Sequence, residues 1–170
     1  PAPHLAGCDA ALRSTASDTS AYNGRVPESF ATRRMRWLFN LFPAYRGTGG
    51  RVKYIAGDWR EVRIELPLSL RTRNYVGTTF GGSIYGSVDP FYMIMLIKLL
   101  GPDYVVWDKV ATIRFRKPSR STLHATFLID DAELAAIRAA TAAGPSVDRP
   151  STLGQSHALV GVHARVAKVI

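Results

Sequence analysis

The chain has 170 residues, 46% hydrophobic and 21% charged, which fits one globular domain with a full core and excludes a disordered, collagen-like or disulfide-scaffold chain. Lys and Arg outnumber Asp and Glu by 22 to 13, an excess that points to an anionic partner such as nucleic acid, a membrane surface or a phosphorylated small molecule. The single cysteine, Cys8, can form neither an internal disulfide nor a thiolate metal site, and it fits a reducing, cytoplasmic setting.

Residues 1–27 are small, polar and aperiodic and read as a loose arm without the apolar core of a signal peptide. The remainder, 28–170, reads as one domain, with a helical extension over 28–50 and a core over 51–170. Residues 28–42 have the spacing of an amphipathic helix, with Phe30, Arg34, Trp37, Leu38 and Leu41 on one stripe. That stripe is expected to dock across its own domain; a membrane surface is the other reading. Pro43 ends the helix and Gly47–Gly50 is a turn. Short strands are predicted over 51–56 and 59–66, where Val62, Ile64 and Leu66 alternate with Glu61, Arg63 and Glu65. A glycine-rich passage then leads to a long apolar helix over 82–100, stopped by Gly101-Pro102. It is too short and too interrupted to cross a bilayer, so it reads as a buried helix. Strands follow over 104–116 and 122–130, then a local helix over 133–143, a loop to Gln155, and a last strand over 156–170. In that strand Ala158, Val160, Val162, Ala164, Val166 and Ile170 face one way, and His157, His163 and Arg165 the other. The pattern is α+β: an antiparallel sheet with a helix on its concave face.

The passage Asn74–Pro90 carries the chemistry. A glycine-rich turn runs into the N-terminus of the buried helix, where free backbone N–H groups favour a negative charge or a polarised carbonyl oxygen. Gly81 and Gly82 permit close approach to the backbone. Gly82, Tyr85, Gly86 and Asp89 share one helical face, and an acid in so apolar a segment is costly unless bonded or functional. Asp89 has two readings. It could cap a helix starting at Pro90, because Asp-Pro is a natural pair there. Or it could stand inside a helix that bends at Pro90, eased by Gly86 four residues back.

Asn74-x-x-Gly77-Thr78-x-Phe80-Gly81-Gly82, followed by seven residues ending in Asp89, resembles the motif of hotdog-fold thioesterases, in particular the phenylacetyl-CoA thioesterase type. With Phe115-Arg116-Lys117-Pro118 it also resembles an uncharacterised branch of that superfamily. The likeness covers residues 58–170. It implies a curved antiparallel sheet wrapped around one long helix, and a homodimer or homotetramer with active sites at the subunit interface. It further implies hydrolysis of an acyl thioester, coenzyme A being part of the substrate and no separate cofactor being needed. The resemblance assigns Gly81 and Gly82 as carbonyl-polarising N–H donors, Asn74 as the positioning amide and Asp89, from the other subunit, as base or nucleophile. Thr78, Phe80, Tyr85 and Gly86 would line the substrate. Phe80 departs from the pattern, since the resembled enzymes often carry His there; a catalytically silent acyl-thioester-binding module is the alternative.

The chemistry is coherent on its own terms, because a thioester needs only an oriented water or carboxylate and an oxyanion site. Arg114, Arg116, Lys117 and Arg120 gather where a strand ends at Pro118 and could hold coenzyme A phosphates. Their other reading is a charged strand edge. Nucleic acid is disfavoured: no zinc-finger spacing, aromatic RNA-binding signature or helix-turn-helix is present. Gly82–Gly86 does not match a nucleophile elbow, and the four histidines are too scattered for a metal site.

Overall fold

The computed structural model describes residues 26–144, 146–154 and 158–168. The arm up to Arg25 and the positions of Ser156, His157 and Ile170 lie outside the described residues. Residues 26 and 27 lie against the first hairpin, where the Tyr54 hydroxyl donates to the Val26 carbonyl and the Gly57 N–H donates to the Pro27 carbonyl at 3.2 Å.

Helix α1 (Phe30–Leu41) starts at a reciprocal Ser29–Thr32 cap that satisfies two otherwise unpaired N–H groups. Its inner face carries Thr32, Met35 and Phe39. The Asn40 side chain accepts from the Val52 N–H at 2.8 Å and donates to the Val52 carbonyl at 3.0 Å, so it occupies the edge of the first strand as a neighbouring strand would. These bonds set the helix's rotation and correct the expected docking. Phe30, Trp37, Leu38 and Leu41 are all more than half exposed. The short helix α2 (Pro43–Thr48) follows.

Strands β1 (Arg51–Ile55), β2 (Glu61–Leu66) and β4 (Leu123–Leu128) form one antiparallel sheet in the order β1-β2-β4. Val62, Ile64 and Leu66 are buried as their alternation predicts. Glu61, expected on the polar face, is buried as well and is held by Arg63. Strands β3 (Tyr104–Phe115), β5 (Ser146–Gly154) and β6 (Ala158–Lys168) form a second antiparallel sheet in the order β3-β6-β5. The hydrogen-bonded ladder breaks where β4 comes alongside β5. β5 corrects the expected loop to Gln155: the composition Ser-Val-Asp-Arg-Pro-Ser-Thr reads as loop, but pairing with β6 along its whole length makes it a strand. Pro150 is accommodated in an edge strand, where every second N–H points away from the ladder. Of the side chains assigned to the inner face of the last strand, Val166 is described and is fully buried.

Helix α3 (Gly81–Leu100) packs against strands of both sheets. By length and composition alone it could cross a membrane. In this fold Phe91, Met95 and Leu96 are completely buried, each such side chain stabilising by about 1.5–3 kcal/mol. Phe91 meets Tyr45 and Phe127 at ring distances of 5.3 and 5.4 Å, tying α2, α3 and β4 together. Helix α4 (Asp131–Ala143) starts at an Asp130 cap, and its Glu133 accepts from the Tyr92 hydroxyl of α3.

Candidate active site

The loop before α3 is built to deliver Gly81 to one place. The Asn74 carbonyl oxygen of the side chain accepts from the Thr78 and Val76 N–H groups at 3.0 and 3.1 Å, and its amide donates to the Thr78 hydroxyl at 2.8 Å. Gly77 closes this turn at φ +80°, a conformation that favours glycine. Beyond the turn, the Thr79 N–H donates to the Ser119 carbonyl and the Phe80 N–H to the Thr72 carbonyl, at 2.9 and 2.7 Å. The chain is thus clamped from both sides immediately before the helix begins. Asn74, expected as a positioning amide, is engaged in shaping the turn.

Phe80 is the N-cap of α3 and supplies no side-chain acceptor. The leading N–H groups of a helix have no intrahelical partner; here the first bond inside the helix is from Ile84 to the Phe80 carbonyl. The Gly81 backbone faces a cavity of about 380 Å³ shared with Asn74, Thr78, Phe115, Arg116 and Lys117. A Cβ on Gly81 would come within 2.8 Å of the Phe115 ring. Five of the residues singled out in the sequence therefore meet in one space: Asn74, Thr78, Gly81, Arg116 and Lys117. Arg120 is exposed and does not line it. With two cations and no carboxylate in its lining, the cavity favours an anionic ligand.

Asp89 stands elsewhere on the same helix. Because α3 runs unbroken through Pro90, Asp89 is interior and does not cap. Eight residues separate it from Gly81, about 12 Å along the axis. The Tyr85 hydroxyl hydrogen-bonds the Asp89 carboxylate, and this bond, then burial and the charges of Asp89 and Asp108, push the phenol up to about 12. Gly86, expected to line the substrate, is covered by Thr48 of α2, whose methyl lies 3.0 Å from where a Cβ would sit.

The sequence reading missed Asp108. The β3–β6 register slips between Asp108 and Val110, leaving Lys109 as an extra residue. Asp108, two residues after the buried Val106, keeps the inner side of β3 and lies near Asp89 of α3, with Oδ1 buried and unpartnered. Burial first, and the Asp89 charge second, raise its carboxyl from 3.8 to about 6. The signal was an acid set directly after the apolar run Tyr104–Trp107. Because the folded state holds this proton more tightly than the unfolded chain, ionising Asp108 costs stability. The cost is absent below 3.8 and complete above about 6. Asp108→Asn should therefore raise the melting temperature at pH well above 6, with the gain vanishing in acid. Melting curves across that range check this, and an equal gain at every pH would contradict it. Among the described residues no three His, Cys, Asp or Glu side chains gather as metal ligands.

A family model described as "Domain of unknown function (DUF4442)" matches residues 31–166. None of the curated proteins matches. Among solved structures, a Pseudomonas aeruginosa protein titled "Probable Thioesterase" superposes with a TM-score of 0.70 at 16% identity, covering 85% of this chain and 99% of that one. A Chlorobaculum tepidum protein of unknown function gives 0.66 at 14%, covering 86% and 99%. A Haemophilus influenzae thioesterase gives 0.58 at 12%, covering 86% and 97%. The fold is that of the hotdog thioesterases, as the motif around Gly81 implied.

Proposed function

The chain belongs to the DUF4442 family, and we propose that this member hydrolyses an acyl thioester, with coenzyme A as the carrier. The observation that carries the reading is the uncapped start of α3, its Gly81 backbone turned into a cavity rimmed by Arg116 and Lys117. A thioester carbonyl seated there would be polarised by N–H groups aimed at its developing charge. The two cations would meet the phosphates of the carrier.

The base in this reading is Asp89 of a second copy. About 12 Å along the helix separates a chain's own Asp89 from its Gly81, whereas reacting groups must approach to roughly 3–3.5 Å. One chain thus holds the two halves of the machinery apart, and two chains would combine them. β3 supports the pairing: it is an edge strand of 12 residues with Val105, Trp107 and Val110 exposed on its outer side, and such an edge is satisfied by a partner. Light scattering at micromolar concentration should give a dimer or tetramer; a species of only 18.6 kDa would remove the composite site.

Release of free thiol from a panel of acyl-CoAs tests the activity. The same cavity could serve a silent binding module, since Phe80 offers no acid or base. Tight binding of acyl-CoA with no thiol release across the panel would decide for that module.

A further inference from the structure

We propose that α1 and the basic groove beside it form a docking surface for an anionic lipid bilayer. This does not depend on the activity proposed above. Five bulky apolar side chains, Phe30, Trp37, Leu38, Leu41 and Phe42, lie on or next to α1 and are each more than half exposed, Phe30 to 84%. Phe30, Trp37 and Leu41 fall on one line of the helix, spanning about 16 Å at 1.5 Å per residue. The helix carries three arginines, Arg33, Arg34 and Arg36, and no acid. Aromatic and leucine side chains on one face with arginines beside them are the make-up of a helix that lies in a membrane interface.

The neighbouring groove supplies the headgroup side. It holds about 400 Å³, begins at Trp37 and Arg36, and continues past Arg46, Arg51, Lys53 and Arg71. Arg36 is committed to Glu28 at 2.9 Å, and Arg51 and Lys53 share Glu65. Among the described residues no carboxylate lies within ion-pair distance of Arg46 or Arg71. Both are exposed and available to phosphate oxygens.

Two other occupants fit less well. A second copy meeting this face about a two-fold axis would set the arginines of one helix against those of the other, a like-charge contact that costs association. Residues 1–25 hold only Leu5, Leu12 and Tyr22 as large apolar side chains, too few to cover five.

Co-sedimentation with phosphatidylcholine vesicles, with and without phosphatidylglycerol, tests the surface on the full chain. Binding should require phosphatidylglycerol and weaken as salt rises. Two double variants separate the contributions: Trp37→Ala with Leu41→Ala removes apolar tips, and Arg46→Glu with Arg71→Glu reverses the groove's charge. Each should weaken binding by about tenfold or more. All four positions are exposed, and circular dichroism checks that the fold is kept. Equal binding to both vesicle types, binding to neither, or wild-type binding by both variants would overturn the proposal. So would a fall in oligomeric mass by light scattering in Trp37→Ala with Leu41→Ala, which would make the face an interface between copies.

Discussion

Asp89→Asn should lower thioester turnover by about 10² or more, the loss expected when a general base is removed, while the melting temperature stays close to wild type. Asp89 caps nothing, because α3 starts at Gly81 and runs through to Leu100. Its substitution therefore takes no helix-end bond away. Asparagine keeps the shape and an oxygen that can accept from Tyr85. Binding of a non-hydrolysable acyl-CoA analogue should persist, since the N–H donors at the helix start are untouched. Thiol release and thermal melts on the same preparations check both halves. Unchanged turnover would remove Asp89 from the chemistry, and a large loss of stability would assign it to the fold.

Gly81→Pro should be as damaging for the opposite reason. Gly81 is the first residue of α3, and proline is well accepted at that position because the N–H it lacks has no helical acceptor. Phe80 before it has φ −66° and ψ 130°, the extended geometry that a following proline requires. The helix should therefore form, but without the N–H that the proposed reaction aims at the carbonyl oxygen. Loss of one such donor costs about 10²–10³ in turnover. Gly81→Ala is the control: it keeps the N–H and adds the same Cβ against Phe115. Turnover lost equally in both variants would point to crowding of the cavity, and turnover kept in Gly81→Pro would exclude the donor. Mixing the two inactive proteins tests the composite site directly. A mixed dimer would bring the intact Asp89 of one chain to the intact Gly81 of the other, so random exchange between subunits in closed two-fold dimers should recover about a quarter of wild-type turnover. No recovery in demonstrably exchanged dimers would place both halves of the chemistry within one chain.

Most of this fold was legible because its signals are local. Strand β2 shows its period in Val62, Ile64 and Leu66, and α3 shows its burial in a run from Phe91 to Leu100. The cavity was legible for the same reason: Asn74, Thr78 and Gly81 lie within one short stretch, and Phe115-Arg116-Lys117 marks the strand end that meets it. What escaped depended on partners distant in sequence. β5 is a strand because β6 pairs with it; its own composition argues for a loop. The rotation of α1 follows from Asn40 meeting Val52, a bond that hydrophobic periodicity does not register. Asp108 passed as one polar residue in a strand, because its depth and its neighbour Asp89 come from two elements brought together by folding. The cap reading of Asp89 failed because Asp-Pro carries the same local signal at a helix start and inside a helix that proceeds past proline.

The slip at Lys109 has a consequence for how this strand can vary. Asp108 and Phe115 are seven positions apart, an odd step, and in a regular strand an odd step sends two side chains to opposite sides. Yet Asp108 reaches the middle of α3 and Phe115 reaches its beginning. The one surplus residue inverts the parity of the second half of the strand, so that both ends address the same helix. Lys109 thus acts as a phase shift: its side chain pairs with Asp148 of β5 at 2.9 Å, but it is its place in the count that sets the parity. Exchange of Lys109 for another residue leaves the parity intact. Its deletion sets the two ends of β3 out of step and turns either the buried acid or the aromatic ring of the cavity away from α3.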